Sequence, residues 1–316
     1  VVEAFLCDGP SGSLVRCFDP EWLYAARDRL YREIQARIVE ADLDVQQNPA
    51  WSSLSGFFRR LETNFDLHVV TTNYDTIVEQ ALGWGATEQG FDPVANESVS
   101  RFGKHPAPSR LRLIHLHGSV HYGYRLHTAE PNRFIYEDDF HDLYWHESTQ
   151  AALETWFARS NPSSQAGRDT IAGPIITGLQ KPDKLLVEPY LSFFRHFEEL
   201  AVSTPRILVV GYGFGDVHIN AVLSRLTKWH GAERRIVAID HWPEDKWVPS
   251  SIWEPEKQEF FARVAMWARD HHPMDSWTYP DPWMPAGGDE ARVRIYFRGF
   301  AATVDLHADD IVRILA

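Results

Sequence analysis

A chain of 316 residues with 44% hydrophobic and 24% charged residues holds enough apolar material for one large α/β domain or two small ones. Its net charge of −13 argues against an extended basic groove for nucleic acid, and no apolar run approaches the ~18 residues that a membrane span needs. Cys7 and Cys17 are the only cysteines, and no basic segment leads into an apolar signal region, so a cytoplasmic protein without a disulfide framework is expected.

Asp19-Pro20 is a helix start, acid at the N-cap and proline at the first helical position, and Leu23, Leu30, Ile34 and Ile38 then fall on one face. A second helix is expected from Trp51 to Leu61. A short strand, Leu67 to Thr71, runs into the polar corner Thr72-Asn73-Tyr74-Asp75. Ile77, Val78, Ala81 and Leu82 then predict a helix that Gly83 ends. A second apolar strand, Leu111 to Leu116, leads into His117-Gly118. Between Ser119 and Pro182 the pattern gives way to aromatic and acidic loop segments, with one helical stretch near Thr149 to Arg159. Regular alternation resumes with a helix over Tyr190 to Val202, a strand over Arg206 to Val210, a helix over Ile219 to Lys228 and a strand over Arg235 to Ile239. A helix around Pro255 to Arg269, a Pro- and Gly-rich loop from His271 to Gly288, a strand over Val293 to Phe297 and a closing helix over Ala308 to Leu315 complete the reading. Short apolar strands separated by helices predict an α/β fold, with a Rossmann-like parallel sheet covered by helices on both faces. A mainly helical and loop insertion interrupts it. The expected division is a single domain, residues 1–316, with N-terminal helices over 1–65, a core over about 66–118 and 184–316, and the insertion over about 119–183.

In an open parallel sheet, ligands bind beyond the carboxyl ends of the strands. Asn73 and Asp75 follow one strand, His117 a second, and the run Gly211 to Asp216 a third. Asp240 ends a fourth, where a carboxylate suits both hydroxyls of a ribose. Plainer readings exist for each: Asn73 and Asp75 as a turn and N-cap pair, His115 or His117 as a hydrogen-bonded core histidine, Asp216 and His218 as caps of the following helix. His115, His117 and His121 also suggest a metal cluster, but no cysteine or His-Glu-x-x-His pattern accompanies them, and His141, Asp142 and His146 read as a solvated aromatic loop. No metal is expected. Trp242, Trp247, Trp253, Trp267, Trp277 and Trp283 make the last third aromatic, as an interface or as a shallow core under long loops.

Taken together, Thr71 to Asp75, Leu116 to Ser119, Gly211 to Asn220 and Asp240 resemble a bacterial sirtuin-like domain of the kind found in antiviral NAD-cleaving effectors. The resemblance implies NAD as substrate, cleaved to nicotinamide and ADP-ribose. Asn73 would hold the nicotinamide ribose and position a water, His117 would act as base, and Asp75 would orient the site. Thr71, Thr72, Gly118, Gly211, Tyr212, Gly213, Gly215, Asp216 and Asp240 would bind the rest of the dinucleotide. It also implies a homo-oligomer and a nucleic-acid-handling or ATPase defence partner, while charge and the lack of a long apolar run argue against direct contact with nucleic acid or membrane.

The chain departs from the family in three places. Sirtuins open with a strand and a Gly-Ala-Gly-x-Ser loop, whereas Asp8-Gly9-Pro10-Ser11-Gly12-Ser13 reads as a loop without a preceding buried strand; either that segment lies upstream of Val1 or the cofactor site lacks it. Gly213 stands where a hydroxyl residue is frequent. Residues 119–210 contain no cysteine, so the four-cysteine zinc module of protein deacylases is absent or replaced, which favours hydrolysis of NAD itself over deacylation. The alternative is a degenerate module that binds NAD, ADP-ribose or a partner without turnover.

Overall fold

The computed structural model describes residues 20–103, 106–124, 143–155, 161–165, 168–170, 174–176, 188–213, 215–241, 293–296 and 298–316. In chain order the elements are α1 (Pro20–Leu43), α2 (Trp51–Asn64), β1 (Val69–Thr71), α3 (Ile77–Leu82), β2 (Phe91–Pro93), β3 (Val99–Phe102), β4 (Leu113–His115), β5 (Tyr122–Gly123), β6 (Tyr144–His146), α4 (Thr149–Leu153), β7 (Asn161–Gln165) and β8 (Arg168–Thr170). They continue with α5 (Tyr190–Ser203), β9 (Arg206–Val210), α6 (Val217–Leu223), α7 (Leu226–His230), β10 (Arg235–Ile239), β11 (Val293–Tyr296) and α8 (Phe300–Leu315). The expected α/β class is present, with its parallel strands and helices. None of the described helices is long and apolar enough to cross a membrane. Cys7, Cys17, the Asp8 to Ser13 loop, Asp19, His141, Asp142, Phe214, the six tryptophans, the 255–269 helix and the 271–288 loop lie outside the described residues.

The chain forms two compact units, residues 1–48 with 67–197, and residues 49–66 with 198–316. In the first, β1 pairs parallel with β4, setting Val69 beside Leu113 and Thr71 beside His115. A four-stranded antiparallel sheet in the order β2-β3-β6-β5 accompanies it. This sheet is absent from the sequence reading, because its strands are two to four residues long and carry Asp92, Arg101 and His146 among their aromatics. Its core is aromatic: Phe91 meets Phe102 at 5.3 Å and Tyr122 at 5.4 Å, and Phe102 meets Phe193 at 5.5 Å. α3 ends as the sequence predicts, on Gly83 in the left-handed region with φ 69°.

α1 corrects one expectation. Among its described side chains Tyr31 and Gln35 are buried, while Leu30 is 52% exposed. Ile34, Ile38 and Asp42 are all half-buried, so the inward side keeps Ile34 and Ile38 from the expected face, leaves Leu30 out and takes in the polar Gln35 and Asp42.

In the second unit β9, β10 and β11 form a parallel sheet with β10 at its centre. Ile236, Val237, Ala238 and Ile239 are all buried, as a strand covered on both faces requires. The closing helix α8 begins eight residues before the expected Ala308, because Thr303 and Val304 extend the buried stripe of Ile311, Ile314 and Leu315 toward its start. It packs against α2 through Phe57 and Phe300, whose rings meet edge to face at 5.8 Å. Asp310 ties it to β11 through the buried Arg294 and through the Tyr296 hydroxyl at 2.8 Å. The helix expected over Ile219 to Lys228 is two, α6 and α7. Arg225 N–H closes on Val222 O three residues back, at 3.0 Å, and the Ser224 hydroxyl donates to Ala221 O, which breaks the four-residue ladder.

Candidate functional site

Parallel pairing of β1 with β4 brings two loops to the same strand ends. Leu116 N–H donates to Thr71 O at 2.9 Å, and Val120 N–H to Tyr74 O at 2.9 Å, so the 72–75 corner and the 116–120 turn are stitched by backbone bonds. Side chains of the segment also hold two of its N–H groups. The Thr71 hydroxyl accepts from Asn73 N–H at 3.0 Å, and Asp75 Oδ1 accepts from Ile77 N–H at 3.2 Å. The first bond leaves Asn73 exposed at the apex, while Thr72 beside it is half-buried. The second gives the first N–H of α3 a side-chain acceptor from the residue before the N-cap position, which Thr76 occupies. Burial, reinforced by the nearby Asp42 and Glu79 carboxylates, holds the Asp75 carboxyl above its ordinary value against the opposing Ile77 N–H and His115.

His117 is buried, and its carbonyl accepts from Ile176 N–H at 2.6 Å. Gly118 has φ 97°, and a Cβ there would stand 2.0 Å from Pro174 O, so only glycine lets the Pro174–Ile176 strap cross it. Two tyrosines clamp the same strap. The Tyr74 hydroxyl donates to Ile176 O at 2.9 Å and the Tyr190 hydroxyl to Pro174 O at 3.0 Å. The strap therefore joins the His117-Gly118 turn to the Tyr74 corner.

Behind the corner lies a buried polar chain that the sequence reading does not contain. His115 Nδ1 is 3.0 Å from Asn73 O, and its Nε2 is 2.9 Å from Glu79 Oε1. Gln89 Nε2 donates to the same Oε1 at 3.2 Å, and the Tyr122 hydroxyl donates to Gln89 Oε1 at 2.8 Å. Desolvation favours the neutral form of both His115 and Glu79, but their mutual charge and hydrogen bond outweigh it. The imidazole is raised and the carboxyl lowered from their ordinary values. The signal in the sequence was a glutamate beside Val78 within the apolar run of a six-residue helix, both of them buried.

In the second unit Gly211 N–H donates to Ile239 O at 2.9 Å, which places the ends of β9 and β10, and so Gly211 and Asp240, side by side. Gly211 has φ 59°. A Cβ at Gly213 or Gly215 would meet nothing within 4 Å, unlike one at Gly118. The Tyr212 hydroxyl lies 3.2 Å from Asp216 O and 3.0 Å from Asn220 Oδ1, latching the loop onto the first turn of α6, whose N-cap position Asp216 occupies. Asp240 Oδ1 accepts from His241 N–H at 2.8 Å, and its backbone bonds Tyr296 O and Gly299 N–H.

No curated protein matches the chain. A scan against protein families matches residues 67–261, well over half of the chain, to the family described as SIR2-like domain. That span opens two residues before β1 and takes in the Asn73 corner, the His117-Gly118 turn, the Gly211 loop and Asp240. The chain belongs to the SIR2-like domain family.

Proposed function

We propose that the chain is an NAD⁺ hydrolase. SIR2-like domains use NAD as substrate, and the observation that carries the reading is the pairing of Thr71 with His115, which sets the Asn73 corner and the His117 turn at the same strand ends. In the proposed reaction the bond from ribose C1′ to the nicotinamide nitrogen breaks heterolytically, and the electron pair leaves with nicotinamide. Because the leaving group is neutral, no strong acid is needed; the site must stabilise an oxocarbenium-like ribose and direct its capture. Water adds to C1′ and gives up a proton to His117, yielding ADP-ribose, nicotinamide and H⁺. Asn73 holds the ribose and the water, and Asp75 orients the corner. Thr71, Thr72, Gly118, Gly211, Tyr212, Gly213, Gly215, Asp216 and Asp240 serve as binding groups for the remainder of NAD.

We further infer an antiviral role in the cytoplasm, depleting NAD as a homo-oligomer together with a nucleic-acid-handling or ATPase partner, without a zinc module or other metal. This role rests on the resemblance of the motifs to bacterial effectors. The whole chain is proposed to act as one sirtuin-like domain with residues 119–183 as its insertion.

The test is NAD consumption by the full chain, alone and with its partner. His117→Ala and Asn73→Ala should each lower kcat by about 10²-fold or more. A second reading, binding without turnover, draws on the engagement of Asp75 with Ile77 N–H. It wins if the wild-type chain binds ADP-ribose and leaves NAD intact under every activating condition. Removal of acyl groups from lysine without net NAD hydrolysis would revive the deacylase reading.

A further inference from the structure

We propose that His115 is a positioning residue for the reaction: its Nδ1–H fixes the Asn73 peptide, and Glu79, Gln89 and Tyr122 fix the His115 ring. The functional half of this proposal rests on the NAD-hydrolase reading above. Its geometry is independent of it.

Asn73 lies at the apex of a corner with no regular secondary structure, so its side chain can be aimed only through its own peptide. The N–H side of Asn73 is held by a neutral hydroxyl, that of Thr71 at 3.0 Å. Its carbonyl is held by His115 Nδ1 at 3.0 Å. Both ring nitrogens face acceptors, the Asn73 carbonyl and the Glu79 carboxylate, so the arrangement needs a proton on each side of the ring. A charge-assisted donor is shorter in reach and stronger than a neutral one. The ring cannot rotate away, since Glu79 belongs to α3 and its Oε1 also accepts from Gln89, itself bonded by Tyr122 from the antiparallel sheet.

Stability alone does not account for such a chain. A buried ion pair costs about as much to desolvate as it returns, and apolar side chains of similar volume would fill this space at no such cost. What apolar side chains cannot supply is a directed donor at the Asn73 carbonyl. His115 also faces Thr71 across the strand pair, so the same residue stands beside the end of β1 and holds the corner that follows it.

Two substitutions separate the ring nitrogens. A glutamine amide nitrogen stands about where Nε2 does, and an asparagine amide nitrogen where Nδ1 does. His115→Gln therefore keeps a donor to Glu79 and loses the one to Asn73. The double variant His115→Asn with Glu79→Gln keeps the donor to Asn73 and leaves no unpaired charge. With NAD as the probe and thermal unfolding as the check on folding, His115→Gln should lower kcat by about 10- to 100-fold, with KM within about threefold. The double variant should return kcat to within about threefold of wild type. Equal kcat for His115→Gln and wild type, or equal losses in both variants, overturns the proposal. Amide hydrogen exchange gives a readout that does not depend on turnover. The amides of residues 73–75 should exchange faster in His115→Gln than in the double variant, and equal exchange in the two also overturns the proposal. If wild type consumes no NAD while exchange follows the expected order, the hydrolase reading fails and the positioning of the corner stands.

Discussion

At the scale of single residues, the first unit places two kinds of constraint around Asn73: a charge buried where charge is costly, and a glycine where a side chain has no room. The Glu79–His115 pair gives a pH signature. The Glu79 carboxyl is lowered and the His115 imidazole raised, so the stability they contribute is complete between the ordinary carboxyl value of 4.5 and the ordinary histidine value of 6.5. It is lost as pH falls through the lowered Glu79 value, and again as pH rises through the raised His115 value. Glu79→Gln should therefore be less stable than wild type by about 3 kcal/mol inside that window, with the difference shrinking on both sides. Urea unfolding across the pH range measures it, and a difference that is flat with pH would sink the ion-pair description. Gly118→Ala must put a Cβ 2.0 Å from Pro174 O at positive φ, and should cost at least about 2 kcal/mol. Gly213→Ala meets open space and should change stability by less than about 0.5 kcal/mol. If Gly213 lies against NAD as proposed, that same alanine weakens NAD binding in calorimetry.

At the scale of elements, α3 shows how a six-residue helix too short to stand alone is made to form. Its first N–H groups are satisfied from two directions: Asp75 Oδ1 takes Ile77 N–H, and Asp42 Oδ2, from the last turns of α1, takes Thr76 N–H at 2.8 Å. That bond fits the turn of Gln35 and Asp42 toward the inward side of α1. Apolar spacing favoured Leu23, Leu30, Ile34 and Ile38, of which Leu30 is exposed, and a remote N–H in need of an acceptor is invisible to periodicity. Asp42→Ala should destabilise the chain by about 1–2 kcal/mol, while Asp42→Asn, which retains an acceptor, should cost less. Thermal unfolding of the two variants checks it, and equal losses would remove the capping role.

At the scale of the whole molecule, the SIR2-like family suggests NAD binding, and the net charge of −13 opposes an extended polynucleotide site. With a net charge of −13, the chain by itself should not retard a DNA duplex in an electrophoretic shift at physiological salt. Retardation without a partner would mean that a local basic surface outweighs the overall charge. The Trp-rich segment 242–283 is proposed as the contact for assembly or partner. Replacing Trp277 and Trp283 with alanine should alter the oligomeric state in sedimentation, and unchanged assembly would count against that placement.

The sequence by itself determined the parallel strands, their carboxyl-end loops and the order of the motifs, because strand and helix periods and a glycine helix end are local properties. Arg206–Val210 and Arg235–Ile239 fall on the residues their apolar runs predict, and Gly83 ends α3 as expected. Only the tertiary structure decided which partners the polar groups take. His115 and His117 look alike in the sequence two residues apart, yet one is bonded to Glu79 and Asn73 while the other pairs through its backbone with the Ile176 strap. Asp75 accepts from the Ile77 N–H at the start of a helix, and Glu79, Gln89 and Tyr122 join a single chain across separations of 10 and 33 residues. Such partners meet only after the chain has folded, since the need of a buried donor for an acceptor is set by what surrounds it and not by what precedes it in sequence.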